Sequence, residues 1–273
     1  MNAEVVTNPI GPARAGMRHA RMRANAWGRW MLLAVLLAGV VPVAVQAQDA
    51  APWIEMTIVG VDPGRVDEFL AAQRELSDLD EEAGVPWRSV SRTAVFGDTY
   101  RFVVMTPLAN FARYDRAADA DPARAAIIGR IRGVITSRTT YALRTTPGLD
   151  NPLPDDVEPS LTIVQVVSVA SGREQDYLRV MAEDVLPHFA DVEMHHTSGA
   201  LTFGGESGYV HFFHVGDFAA LDQGSPLARA LGARGAQEVM GKLSGVVRRN
   251  EQWLVRYLPD ASFRPEVDAE DPR

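Results

Sequence analysis

Alternating and helically spaced apolar positions recur along this chain at a shift of about 110 residues. Ile54, Met56 and Ile58 alternate with Glu55, Thr57 and Val59, the period of a strand, and Asp62-Pro63-Gly64 turns the chain. Val66, Phe69, Leu70, Leu76 and Leu79 then fall at helical spacing. Residues 87–96 and 100–105 read as strands joined at Gly97-Asp98, 127–135 as an apolar helix and 139–145 as a fourth strand. The second pass reads as strands at 161–169, 193–203, 209–215 and 252–258, with helices at 173–186 and 237–247. Val59-Gly-Val-Asp-Pro-Gly64 is answered by Val167-Ser-Val-Ala-Ser-Gly172. Ile127, Ile128, Ile131, Val134 and Ile135 are answered by Val239, Met240, Leu243, Val246 and Val247. A whole helix face has therefore been copied.

Each half has the order βαββαβ, which makes a four-stranded antiparallel sheet with both helices on one face. The other face stays bare, and two such sheets in one chain can cover each other. The fold class expected is α+β, with two tandem ferredoxin-like units at 53–146 and 160–259 packed sheet to sheet. A proline-rich linker at 147–159 joins them. The acidic tail at 260–273 has the composition of a disordered segment.

Val210-His211-Phe212-Phe213 followed by Asp217-Phe218-Ala219 resembles the third strand and short helix of NIPSNAP-like proteins. Val103-Val104-Met105 followed by Asn110-Phe111-Ala112 is a weaker echo. The whole pattern resembles the dimeric α/β-barrel superfamily, which also includes antibiotic-biosynthesis-type monooxygenases and stress-responsive barrel proteins. The resemblance implies an internal pseudo-dimer with a ligand or substrate in a cavity between two sheets. One such fold carries many activities, so function has to be argued from the site.

The two ends and the composition narrow the setting. Arg14, Arg18, Arg21, Arg23 and Arg29 precede the apolar run 31–45 and the small-x-small sequence Val45-Gln46-Ala47. That is the pattern of a secretory signal at 1–47, cleaved after Ala47. The run is shorter than a spanning helix needs and contains Pro42, so no stable membrane anchor is expected after cleavage. A periplasmic or secreted location follows. The absence of cysteine excludes disulfides, thiolate metal sites and a cysteine nucleophile. Net charge is −8 over the whole chain, and the acidic balance disfavours nucleic acid as a partner.

No catalytic motif stands out. Beyond the signal, every histidine lies in the second half: His188, His195, His196, His211 and His214. If Phe203 pairs with Tyr209, His196 lies diagonal to His214 on one face at about 7 Å. The third protein ligand of a catalytic zinc is then missing, and no metal is expected. His211, mid-strand among Tyr209, Phe212 and Phe213, is the residue that would ligate haem, which some barrels of the resembled superfamily bind through histidine. No other cofactor is expected.

Thr57 and Gln165 hold matching positions on the first strand of each half, and Glu55 shares their face. Met56, Ile58, Val164 and Val166 are expected beneath the helices, which would aim the polar face into the space between the sheets. The ligand-binding candidates are thus Glu55, Thr57, Gln165, His196, His211 and His214, for a small apolar or aromatic molecule. One alternative is a cofactor-independent monooxygenase with a histidine base; the asparagine–tryptophan pair of that pattern is absent. Another is a protein-interaction module whose cavity is filled.

Overall fold

The computed structural model describes residues 53–115, 121–146, 148–154 and 156–264. The expected signal peptide lies outside these residues, as does the tail beyond Arg264. The first half runs β1 (Trp53–Val61), α1 (Val66–Glu82), β2 (Ser89–Thr93), β3 (Arg101–Leu108), α2 (Pro122–Arg132) and β4 (Ile135–Thr145). The second runs β5 (Leu161–Val169), α3 (Glu174–Val180), a π turn (Met181–Val185), α4 (Leu186–Asp191), β6 (His196–Phe203), β7 (Gly208–Val215), α5 (Pro226–Lys242) and β8 (Val247–Tyr257). The duplicated βαββαβ order is present as the spacing predicts. The Asp121 and Ser225 side chains accept from Arg124 N–H and Ala228 N–H, and Pro122 and Pro226 follow them, so α2 and α5 start where cap and proline direct.

Boundaries differ from expectation where local geometry intervenes. β2 stops at Thr93 because Val95 adopts a φ of 54°, which takes the chain out of the ladder. The helix expected over 173–186 breaks into a π turn ahead of Pro187, which has no N–H to continue the ladder. α5 begins at Pro226 rather than 237, because a break at Gly232 (φ 69°) interrupts its helical periodicity.

The eight strands close into a barrel in the order β1-β3-β2-β8-β5-β7-β6-β4. Two seams join the halves. Ser91 and Thr93 of β2 pair with Tyr257 and Val255 of β8. Leu143 and Thr145 of β4 pair with Leu201 and Gly199 of β6. Edge hydrogen bonds thus make the closure, and each of the eight strands has a neighbour on both sides.

Met56, Val103, Leu143, Val164, Val210 and Val255 fill the barrel interior at mid-height. Val59, Phe69, Phe102 and Val134 pack between the first sheet and its helices, as do Val167, Tyr177, Phe189, Phe213 and Val239 in the second half. The faces are therefore the reverse of those expected. Met56, Ile58, Val164 and Val166 point into the barrel, and Glu55, Thr57 and Gln165 lie on the helix side. Alternation shows which residues share a face. It does not show which of two apolar-rich faces receives the helices.

The linker is docked. Leu149 enters the core of the second half, Asn151 bridges to His196, and the Asp150 carboxylate accepts the Ser198 N–H at 2.6 Å. The tail expected to be disordered from residue 260 is ordered as far as Arg264, with Phe263 paired to Arg88 and Ala261 buried.

A Cβ on Gly208 would lie 1.9 Å from the Val167 carbonyl oxygen, whereas one on Gly241 in α5 meets nothing within 4 Å. Gly208→Ala is therefore expected to lose about 2 kcal/mol or more in urea denaturation. Gly241→Ala should gain about 0.5–1 kcal/mol, the difference in helix propensity. Equal shifts in the two variants would contradict the β5–β7 register.

Candidate functional site

Each half holds a cavity between its sheet and its helices. The first, about 160 Å³, lies among β1, β3, β4, α1 and α2. The second, about 350 Å³, lies among β5, β7, β8, α3 and α5. Register makes them counterparts. Thr57 pairs with Val104 and Thr140, as Gln165 pairs with His211 and Gln252. Arg138 opposes Val59, as Asn250 opposes Val167. One scaffold has thus acquired two different linings.

The second cavity is walled by Val167, Met181, Phe189, Phe213, Val239 and Leu243, with Gln165, Tyr177, His211, Asn250 and Gln252 as its main polar groups. Among the described residues, no Asp, Glu, Lys or Arg lines it. His211 is 1 % exposed and ties the wall to the linker. Ser198 Oγ donates its only proton to the Leu149 carbonyl at 3.1 Å, so it accepts from His211 Nδ1–H at 2.8 Å. Nε2 is then the lone-pair nitrogen and accepts from the Tyr177 hydroxyl at 2.6 Å. Burial pushes the His211 imidazole down to about 3 and holds the Tyr177 phenol well above its ordinary value. Placing a proton on His211 at neutral pH would cost on the order of 5 kcal/mol. The imidazole is neutral and structurally committed.

The structure gathers some of the sequence candidates and separates others. Gln165 joins His211 in the second cavity and donates to Asn250 Oδ1 at 3.0 Å. Glu55 and Thr57 line the first cavity, where Glu55 accepts from the Tyr114 hydroxyl at 2.5 Å and Thr57 bonds Thr140 at 3.0 Å. Thr57 and Gln165 therefore do not meet across the barrel.

The diagonal pairing of His196 with His214 does not form. Phe203 pairs with Ala142 across the seam instead of with Tyr209, so His196 opposes Phe213 and Ser198 opposes His211. This puts His196 on the helix face, where Nδ1–H donates to the Met194 carbonyl at 3.0 Å and the ring packs edge to face with Phe189. His214 points to a separate cavity of about 460 Å³ at one end of the barrel, beside Ile54, Met105 and Phe212. Its Nδ1 lies 3.2 Å from Thr162 Oγ1, and burial lowers it to about 4.

His211 does not fit an axial haem ligand. Both ring nitrogens are hydrogen-bonded, and Nε2 would have to give up the Tyr177 proton before meeting a metal. Sequence reasoning missed Tyr177. The available signal was a hydroxyl on the apolar helix face, where Phe69 stands in the other copy.

No protein-family model matches this chain, and no curated protein matches it in sequence. Solved structures do. A presumed monooxygenase from Lactobacillus acidophilus superposes with a TM-score of 0.55 at 11% identity, covering 78% of this chain and 96% of that one. An anthrone oxidase-like protein gives 0.54 at 11%, covering 76% and 92%. A variant chlorite dismutase from Candidatus Nitrospira defluvii gives 0.54 at 10%, covering 77% and 92%. At such identities the likeness is one of fold, and the fold is the dimeric α/β barrel built within one chain.

Because His211 and His214 stay neutral in the folded protein, the unfolded chain binds more protons between its ordinary histidine value of 6.5 and the folded values of about 3 and about 4. The contribution of these two groups to stability is fully present above pH 6.5 and is lost as pH falls, by up to roughly 1.4 kcal/mol per pH unit for each group. His211→Gln, whose amide can bond both Tyr177 and Ser198, should flatten that slope in urea melts between pH 6 and 4. An unchanged slope would refute a buried neutral imidazole.

Proposed function

We propose that this protein is exported and holds a small, neutral, apolar or aromatic molecule in the cavity beneath α3 and α5. The observation that carries this reading is the wall itself. About 350 Å³ is enclosed mainly by aliphatic and aromatic side chains, with convergent polar groups and no formal charge. The Tyr177 oxygen gives its proton to His211 and keeps lone pairs to accept a ligand hydroxyl. The Gln165–Asn250 bond leaves Gln165 Oε1 as an acceptor and Asn250 Nδ2 as a donor. A ring bearing one hydroxyl or carbonyl satisfies these groups and leaves its carbon surface to Met181, Phe213 and Leu243. This reading puts the ligand on the helix side rather than between the sheets, where the barrel is filled at mid-height and the room is the cavity of about 460 Å³ at one end.

The fold neighbours include proteins named for oxygenase chemistry, which is the support for an enzymatic alternative. A cofactor-independent oxygenase needs a base poised near the working pH. His211 and His214 are held far below it. Binding is therefore the reading the geometry favours.

Calorimetric titration with 2-naphthol tests it. Saturable binding is expected, weakened at least about tenfold by Leu243→Trp, whose indole fills the cavity. Equal affinity in that variant, or no binding by either protein, would overturn the assignment. Export has its own test. Protein recovered from the cell envelope of its host should begin at Gln48 by intact mass, and a retained N-terminal segment would contradict cleavage.

A further inference from the structure

We infer that the cavity of the first half is a second ligand site, specific for a small oxyanion, either a carboxylate or a phosphate. Its lining differs in kind from that of its counterpart. Five arginines, Arg88, Arg113, Arg124, Arg132 and Arg138, reach its wall, against two carboxylates, Glu55 and Asp80. This local excess of positive charge stands on a chain whose net charge is −8.

Both carboxylates are already engaged. Glu55 accepts from Tyr114. Asp80, buried on α1, accepts from Arg88 at 2.8 Å and from Arg124 at 2.6 Å. Arg88 is itself 6 % exposed, with its second terminal nitrogen donating to Gln73 Oε1 at 2.6 Å. Its Nε is shut off from solvent and has no partner among the described residues.

Three further guanidiniums line the cavity without a carboxylate partner among the described residues. Arg113 lies over the Tyr114 ring, Arg138 reaches only the Thr140 hydroxyl at 3.3 Å, and Arg132 has neither contact. The first two come from the segment after β3 and from β4, and the third from the end of α2, so their charges converge from three elements. Ordinary surface arginines on one helix would not do so. The available space is about 160 Å³, less than half that of its counterpart, and it admits phosphate, acetate or a short keto acid. Planar guanidinium forks suit oxyanions in particular.

The test is calorimetric titration of the full mature chain with sodium phosphate and, separately, sodium acetate, each against sodium chloride at matched ionic strength. One or both oxyanions should bind saturably where chloride does not. Tighter phosphate would assign a tetrahedral ligand, and tighter acetate a carboxylate. The Arg132→Gln/Arg138→Gln double variant alters exposed side chains and leaves the buried Asp80 network intact. It should lose at least about tenfold in oxyanion affinity, the scale of one or two charge-assisted hydrogen bonds. Its urea midpoint and its 2-naphthol titration should be unchanged, which separates loss of this site from loss of the fold or of the other cavity. Oxyanion heats indistinguishable from chloride, or full affinity in the double variant, would overturn the inference.

Discussion

Two seams of backbone hydrogen bonds carry the architecture. β2 pairs with β8 and β4 pairs with β6, and through those seams two small sheets become one closed barrel. A single four-stranded sheet with helices on one face leaves an apolar surface and two open edges. Joining two of them along their edges removes both problems together. The seam also dictates register. Phe203 leaves β7 to pair with Ala142, which shifts the β6–β7 pairing and brings Ser198 opposite His211. The hydrogen-bonded chain from Tyr177 through His211 and Ser198 to Leu149 exists only because of that shift.

The barrel is filled at its centre and open at one end. Once Met56, Val164 and their neighbours occupy the interior, the mid-height room that remains lies between sheet and helices, once in each half. Duplication then permits divergence. The half containing His211 keeps an uncharged lining and builds its polar features from amides, a phenol and a neutral imidazole. The other half replaces Gln165, His211 and Asn250 with Thr57, Val104 and Arg138, and adds a buried Asp80–Arg88–Arg124 network. An apolar ligand and a small anion would partition between two such cavities on desolvation alone, because each lining penalises the other's occupant.

Much of this was legible in the residues. Period-2 alternation at 54–59 and 161–169, the helical spacing of Ile127, Ile128 and Ile131, and the turn at Pro63-Gly64 describe local preferences, and these survive folding. Val134 and Ile135, read as the same helix face, lie past the end of α2, and Ile135 opens β4. Gln165 and His211 were also recognisable as candidates, because polar residues inside apolar strands are conspicuous. Their partners were not. Tyr177 reads as one more aromatic on an amphipathic helix, and Arg88, Arg124 and Arg132 read as ordinary solvated charges, since nothing local shows that α1, α2 and the first sheet bring them around one space.

The sequence by itself determined the duplication, the order of elements in each copy, and which residues share a strand face, because these follow from backbone periodicity and nearest-neighbour chemistry. Only the tertiary structure decided which face of each sheet meets the helices, which strands pair across the seams, and how far the hairpin slides. Those choices depend on contacts between residues far apart in the chain, and the free energy that selects among them comes from packing two apolar faces whose local patterns are equally acceptable on either side.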